Sequence, residues 1–98
     1  MNPWFEGLGE RFVNAAARRA AKIDAPRLEA SLAEELLELA RVTAHTQERR
    51  FAPLACFLAG VAVERLQGAG HGPSPEEVTG YLREVRAELE QDAEGAPS

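Results

Sequence analysis

Cysteine is almost absent from this chain of 98 residues, in which Cys56 is the only one. A single cysteine excludes an internal disulfide framework, and we expect a reducing, cytoplasmic location. The N-terminus lacks a basic segment followed by an apolar stretch, so we expect no signal peptide. Long apolar runs are also missing. The longest, residues 52–63, is too short to cross a bilayer and is typical of a buried core helix.

An excess of positive charge is missing as well. The chain has 11 Lys and Arg against 16 Asp and Glu, for a net charge of −5. The whole net negative charge is carried by residues 51–98, because the charges of residues 1–50 sum to zero. Proteins that bind nucleic acid need a basic stripe to neutralise phosphates. We therefore expect no nucleic-acid partner, and the lack of a long apolar run argues against a membrane partner.

Groups that carry catalysis or hold metals are scarce. The only histidines are His45 and His71, whereas a zinc site needs three or four Cys, His or carboxylate ligands. Cys56 lies in the apolar segment, where a cysteine usually packs as a small hydrophobic residue. We therefore expect no metal, no cofactor and no catalytic residues, and we interpret the protein as a non-enzyme.

Apolar residues recur at helical spacing throughout the chain, and no segment has the two-residue period of a strand. Asn2-Pro3 and Ser74-Pro75 are typical helix starts, with a capping residue before proline. We predict a single helical domain over residues 1–92 and a disordered tail over 93–98. The predicted helices cover about 3–21, 26–46, 53–67 and 75–91.

The third predicted helix is apolar on all its faces, which is typical of a helix buried at the centre of a domain. This pattern predicts an all-α fold, a compact four-helix bundle around a central apolar third helix. By contrast, the glutamates of the second helix are expected to form a solvated surface. The main buried stripe of the third helix is predicted to comprise Leu54, Phe57, Leu58, Val61 and Leu66.

The corner between the second and third helices holds the most concentrated polar chemistry. If the second helix persisted far enough, Arg41, His45 and Arg49 would share one face, with Glu48 beside them. Such a cationic cluster could accept a phosphate or carboxylate. The favoured alternative is that His45 caps its helix and that Arg49 or Arg50 pairs with Glu48 or a helix end. The candidate anion or partner-binding residues are Arg41, His45, Arg49 and Arg50.

The same corner carries a family resemblance, which is specific over about residues 36–66. It resembles a small uncharacterised helical domain family common in actinobacteria, found alone or appended to the molybdenum-cofactor guanylyltransferase. The chain departs from the family pattern at Arg50, where a proline is expected, and at Cys56, a position that is often polar. The matching residues are Leu39, Ala40, Arg41, Ala44, His45, Arg49, Ala52, Pro53, Leu54, Phe57, Leu58 and Gly60, with Trp4 near the start.

The resemblance implies a context and no site. It favours a non-catalytic interaction or accessory domain linked to molybdenum-cofactor biosynthesis, with the guanylyltransferase as candidate partner. A homo-oligomeric structural protein is the first alternative, because Trp4, Phe5, Phe12 and Phe51 are a large aromatic supply for a short chain. A small anion or ligand binder at the His45 corner is the second.

Overall fold

The computed structural model describes residues 2–69 and 74–95, and within them it contains four α-helices and no strand. The predicted all-α class is therefore confirmed. Contacts divide the chain into two compact units, Met1–Ala30 and Ser31–Ser98. The first unit holds α1 and the second holds the other three helices. The helices are α1 (Pro3–Ala17), α2 (Ala30–Thr46), α3 (Ala52–Gly68) and α4 (Pro75–Gly95).

The start of α1 is set by its capping residue. The Asn2 Oδ1 atom accepts a hydrogen bond from the Trp4 N–H at 2.9 Å, and Pro3 occupies the first helical position. Proline costs nothing there, because the first N–H groups of a helix have no partner within it. The predicted start of the first helix is confirmed.

The end of α1 differs from the predicted residue 21, because the chain reverses at Ala20. This alanine has a positive φ of 59°, in the left-handed region. The Ala21 N–H donates to the Ala16 carbonyl at 2.9 Å, and the Ala20 N–H donates to the Ala17 carbonyl at 3.0 Å. These two bonds form a Schellman motif, which satisfies the last carbonyls of the helix. Glycine usually occupies the left-handed position, so its absence hid this stop from sequence analysis.

A close approach of two backbone segments holds the first unit together. Gly9 is buried, and a Cβ atom added to it would lie 2.8 Å from the Pro26 carbonyl oxygen. Only glycine leaves room for that carbonyl. Residues 21–29 have no regular secondary structure, so α2 begins at Ala30, four residues after its predicted start.

The second unit has a small core to which its three helices all contribute. Leu39 of α2, Ala59 and Val63 of α3, and Val78 and Leu82 of α4 are its buried members. Buried hydroxyls are bonded to their own helices: the Thr43 hydroxyl donates to the Leu39 carbonyl at 2.8 Å, and the Thr79 hydroxyl donates to the Pro75 carbonyl at 2.9 Å. The partly buried residues around the core are Leu32, Leu36, Ala55 and Tyr81.

Burial of α3 on all sides was the main expectation that the structure overturns. Its buried residues are the small Ala59 and Val63. Leu54 is 61% exposed, Phe57 71% and Leu58 66%, so three of the five residues of the predicted core stripe face solvent, whereas Val61 and Leu66 are half-buried. The physical reason is size, since α3 packs its small residues Ala55, Ala59 and Val63 against the core and leaves its large residues on the opposite face. An apolar pattern on both faces could not indicate which of them packs inward.

The N-cap of α4 is confirmed by a hydrogen bond from the Glu77 N–H to Ser74 Oγ at 3.2 Å. The helix continues to Gly95, so residues 93–95 of the predicted tail are helical. Residues 96–98 of that tail lie outside the described residues, as do residues 70–73 of the glycine-rich segment, His71 among them. None of the helices in the described ranges is both long and apolar enough to span a bilayer. The single domain over residues 1–92 stays a prediction.

Candidate functional site

The corner between α2 and α3 is a short, well-bonded reversal of the chain. The α2 helix ends at Thr46, whose hydroxyl donates to the Val42 carbonyl at 2.8 Å. Glu48 is extended and precedes a single 3-10 turn over Arg49–Phe51, which leads directly into α3. Because α2 stops before Arg49, the single helical face that would have gathered Arg41, His45 and Arg49 does not form. That part of the sequence interpretation is wrong.

The candidate cationic residues have different surroundings. Arg41 donates to Glu38 at 3.0 Å through Nε and 2.9 Å through Nη2, and its Nη2 lies 3.6 Å from a Glu90 oxygen. His45 lies exposed in the last turn of α2. Arg49 and Arg50 are exposed in the 3-10 turn. Arg41 therefore belongs to an ion-pair network between α2 and α4, whereas the other three stand at the corner itself.

Arg50 makes two contacts with its sequence neighbours. Its Nε donates to Glu48 at 2.7 Å, and its guanidinium lies 5.8 Å from the centre of the Phe51 ring. This ion pair is largely exposed, and such pairs contribute little to stability. The pairing agrees with the alternative in which Arg50 neutralises Glu48. A site for an anion at this corner stays a prediction.

The main polar cluster of the second unit was missed by sequence analysis. Glu35 was assigned to the solvated surface, and that assignment is wrong because its side chain is buried. Its carboxylate accepts hydrogen bonds from Arg83 Nε at 3.0 Å and Arg86 Nη2 at 3.2 Å, and Arg86 Nη1 donates to Glu90 at 3.0 Å. Hydrogen bonds with Glu90 first and with Glu35 next raise the pKa of Arg86 above its ordinary value.

This cluster fixes α4 on α2 and leaves its charges satisfied. Each carboxylate oxygen of Glu35 has an arginine partner, and within the described residues no buried side-chain nitrogen or oxygen lacks a hydrogen bond. The cluster is an ion-pair network between α2 and α4. A possible sequence signal was the spacing of Arg83 and Arg86 on α4.

The most unusual surface of the second unit is the outer face of α3, which we define as Leu54, Phe57, Leu58 and Val61. Positions i, i+3, i+4 and i+7 lie on one side of a helix. A groove of about 570 Å³, open to solvent, runs along one edge of this face. Its lining is Cys56, Phe57, Gly60, Val61, Glu64 and Arg65. The sequence pattern indicated the residues of the outer face, Leu54, Phe57, Leu58 and Val61, but predicted that they form the core. The alternation of small and large residues around α3 was the signal that could have separated its two faces.

Cys56 lies at the boundary between the inner and outer faces of α3. Its Sγ donates weakly to the Leu36 carbonyl at 3.6 Å, and burial raises the pKa of the thiol above its ordinary value. Reactive thiols have the opposite property, a lowered pKa in an electropositive setting. Across the described ranges, no three or more His, Cys, Asp or Glu side chains are grouped so that they could hold a metal ion.

The comparisons with known proteins identify a family and nothing more specific. No curated protein and no solved structure matches the chain. One family model does match, over residues 1–97, and its description is a domain of unknown function, DUF6457. Since this match covers nearly the whole sequence, the chain belongs to the DUF6457 family.

Proposed function

We propose that this protein is a non-catalytic helical interaction domain, which binds another protein through the outer face of α3. The observation that carries the proposal is the exposure of Leu54, Phe57 and Leu58 on one side of one helix. Scattered exposed apolar residues are ordinary, whereas a contiguous apolar patch on a small protein marks a binding surface.

The size of the patch supports this role. Each of the three side chains exposes about two thirds of its surface. Together they offer on the order of 350 Å² of apolar area, comparable with the largest patch on a typical monomer. Leaving this area in water is unfavourable by roughly 25 cal/mol per Å², so a partner that covers it gains several kcal/mol.

The polar groups of the second unit support a non-catalytic role. Glu35, Glu38, Glu48 and Glu90 all accept hydrogen bonds from arginines of the same chain. Ion pairs of this kind stabilise helix packing and chain reversals, and they do not supply the base and nucleophile that an enzyme positions together.

The molybdenum-cofactor guanylyltransferase is the partner that we propose, with a cytoplasmic location for the complex. The resemblance over residues 36–66 supports this choice, because family members of that kind are appended to the enzyme.

The test is a binding titration with the purified guanylyltransferase of the same genome, followed by calorimetry. We expect Phe57→Asp to abolish binding because it places a charge in the apolar patch. Leu37→Asp is the matched control, since Leu37 is also 71% exposed but lies on α2. No binding by the unmodified protein would exclude this partner, and equal loss in both variants would exclude the outer face of α3 as the site.

A second candidate function is an anion or small-ligand site at the corner. The exposure of His45, Arg49 and Arg50 within six residues favours it. Titration with inorganic phosphate should raise the melting temperature of the unmodified protein and leave that of the His45→Ala/Arg49→Ala variant unchanged. If the substitutions lower the melting temperature while phosphate shifts neither protein, His45 has only a capping role.

A further inference from the structure

We infer that the outer face of α3 is covered by a second copy of this chain, in a two-fold dimer whose α3 helices run antiparallel. This inference rests on the proposed interaction function, because it assigns a further occupant to the face that the guanylyltransferase is proposed to bind. Three features of α3 support it: the room beside Phe57, the charges at the two ends of the face, and the apolar area available.

The room beside Phe57 comes from Gly60. A Cβ atom added to Gly60 would have no atom within 4 Å, so this part of α3 is open. Gly60 and Val61 line the groove next to the projecting Phe57 ring. In an antiparallel pair with its two-fold axis beside Leu58, the Phe57 ring of each copy would lie over Gly60 of the other. One copy therefore carries both the projection and the recess, which is the self-complementarity that a two-fold interface requires.

The charges at the two ends of the face favour the antiparallel direction. Arg50 stands just before the N-terminal end of α3, and Glu64 lies near its C-terminal end. Arg50 lies eight positions before Leu58 and Glu64 lies six positions after it. Antiparallel pairing about Leu58 therefore brings Arg50 of one copy within about 3 Å, along the helix axis, of Glu64 of the other, an offset that these long side chains can span, whereas parallel pairing would bring like charges together.

The present partner of Arg50 does not oppose this exchange. Its ion pair with Glu48 leaves 81% of the Arg50 side chain exposed. An exposed pair of this kind is worth little, so Arg50 can turn towards a second carboxylate at small cost. In the same antiparallel pair, Arg65 would face the Phe51 ring of the other copy, a cation–π arrangement.

The area of the face sets the expected affinity. Two patches of on the order of 350 Å² each, with their charged margins, bury about 1,000 Å² in total, which is below the standard size of a stable interface. We therefore expect a dimer with a micromolar dissociation constant, in equilibrium with the monomer. A guanylyltransferase that uses the same face would compete with the second copy.

The test is sedimentation equilibrium over a wide range of protein concentration. The unmodified chain should change from its monomer mass of 10.6 kDa to twice that mass as the concentration rises. Gly60→Arg should weaken dimerisation at least tenfold because it fills the recess. Gly80→Arg is the matched control: Gly80 is an exposed helical glycine of α4, and a Cβ there also meets open space. Circular dichroism should show both variants folded.

A charge exchange tests the direction of the pair. Arg50→Glu and Glu64→Arg should each weaken dimerisation, and the double variant Arg50→Glu/Glu64→Arg should recover most of the loss. A monomer at every concentration, or a dimer unaffected by Gly60→Arg, would overturn the inference. A monomer that still binds the guanylyltransferase through Phe57 would overturn the dimer alone. A monomer that lacks Phe57-dependent binding would overturn the proposed function as well.

Discussion

Glu35 and Phe57 each lie where hydropathy would place the other. Glu35, an acid, is 7% exposed between α2 and α4, whereas Phe57, an aromatic, is 71% exposed on α3. Glutamate is almost never buried unless it is paired, and here two arginines supply the pairing. Phe57 lies outside, whereas the smaller Ala59 and Val63 fill the inner face of α3. The difference teaches that available partners and side-chain size can outweigh polarity in deciding whether a residue of this protein is buried.

Removal of the buried charge should have the largest effect. Glu35→Ala leaves Arg83 and Arg86 without their shared carboxylate, although Arg83 is partly exposed and Arg86 keeps Glu90. We expect a loss of about 2 kcal/mol in the free energy of unfolding, less than the full penalty for breaking a buried pair. Urea denaturation measures it. Glu34→Ala, on the neighbouring exposed residue, should change stability by under about 0.5 kcal/mol. Equal losses of stability for Glu35→Ala and Glu34→Ala would contradict a special role for the buried carboxylate.

The two faces of α3 provide the next comparison. Val63→Ala should cost about 1.5 kcal/mol because it removes two buried methyl groups from the core. Phe57→Ala should change the stability of the monomer by under about 0.5 kcal/mol, although a core phenylalanine would cost 3–5 kcal/mol. Both are measured by urea denaturation below the dissociation constant of the dimer. A loss of several kcal/mol for Phe57→Ala would show that this residue belongs to the core.

The glycines of α1 extend the comparison to the first unit, where Gly9 is buried and Trp4 is exposed. Gly9→Ala should destabilise the unit by about 1 kcal/mol, since its Cβ would meet the Pro26 carbonyl. Gly7→Ala meets open space and should stabilise α1 by about 0.5–1 kcal/mol through helix propensity. Fluorescence of Trp4, the only tryptophan, monitors unfolding. If both substitutions changed the stability in the same direction, the close approach of Gly9 to Pro26 would be contradicted.

Cys56 should show the smallest effect, and it locates the boundary between the faces of α3. Burial raises the pKa of this thiol, so iodoacetamide should modify the native protein more slowly than the urea-unfolded protein at neutral pH. The unfolded thiol ionises first as the pH rises. The associated stability is therefore fully present below the ordinary thiol pKa and is lost as the pH rises through the higher folded value. Equal alkylation rates would place Cys56 on the outer face.

Local signals in the sequence were sufficient for part of the fold. The starts at Asn2 and Ser74 were predicted because a capping residue and a following proline act within one turn of the chain. The all-α class was predicted from periodicity alone. The predicted bounds of the third helix, residues 53–67, differ from those of α3 by one residue at each end.

The remaining features depend on contacts that no local pattern encodes. The stop at Ala20 uses a left-handed alanine, which carries no recognisable signal. The burial of Glu35 depends on arginines 48 and 51 positions later in the chain. For the candidate site, the sequence identified the corner residues and the apolar residues of α3. It could not show that α2 ends before Arg49, nor which face of α3 packs inward.

The left-handed turn at Ala20 fixes the number of residues between Gly9 and the end of α1. Gly9 must face Pro26, and the chain that brings Pro26 back leaves the helix through Ala20. One residue inserted between these points would rotate the exit by about 100° and advance it by about 1.5 Å. The returning carbonyl would then meet a neighbouring side chain in place of the glycine. Members of the family should therefore keep the spacing from residue 9 to residue 20.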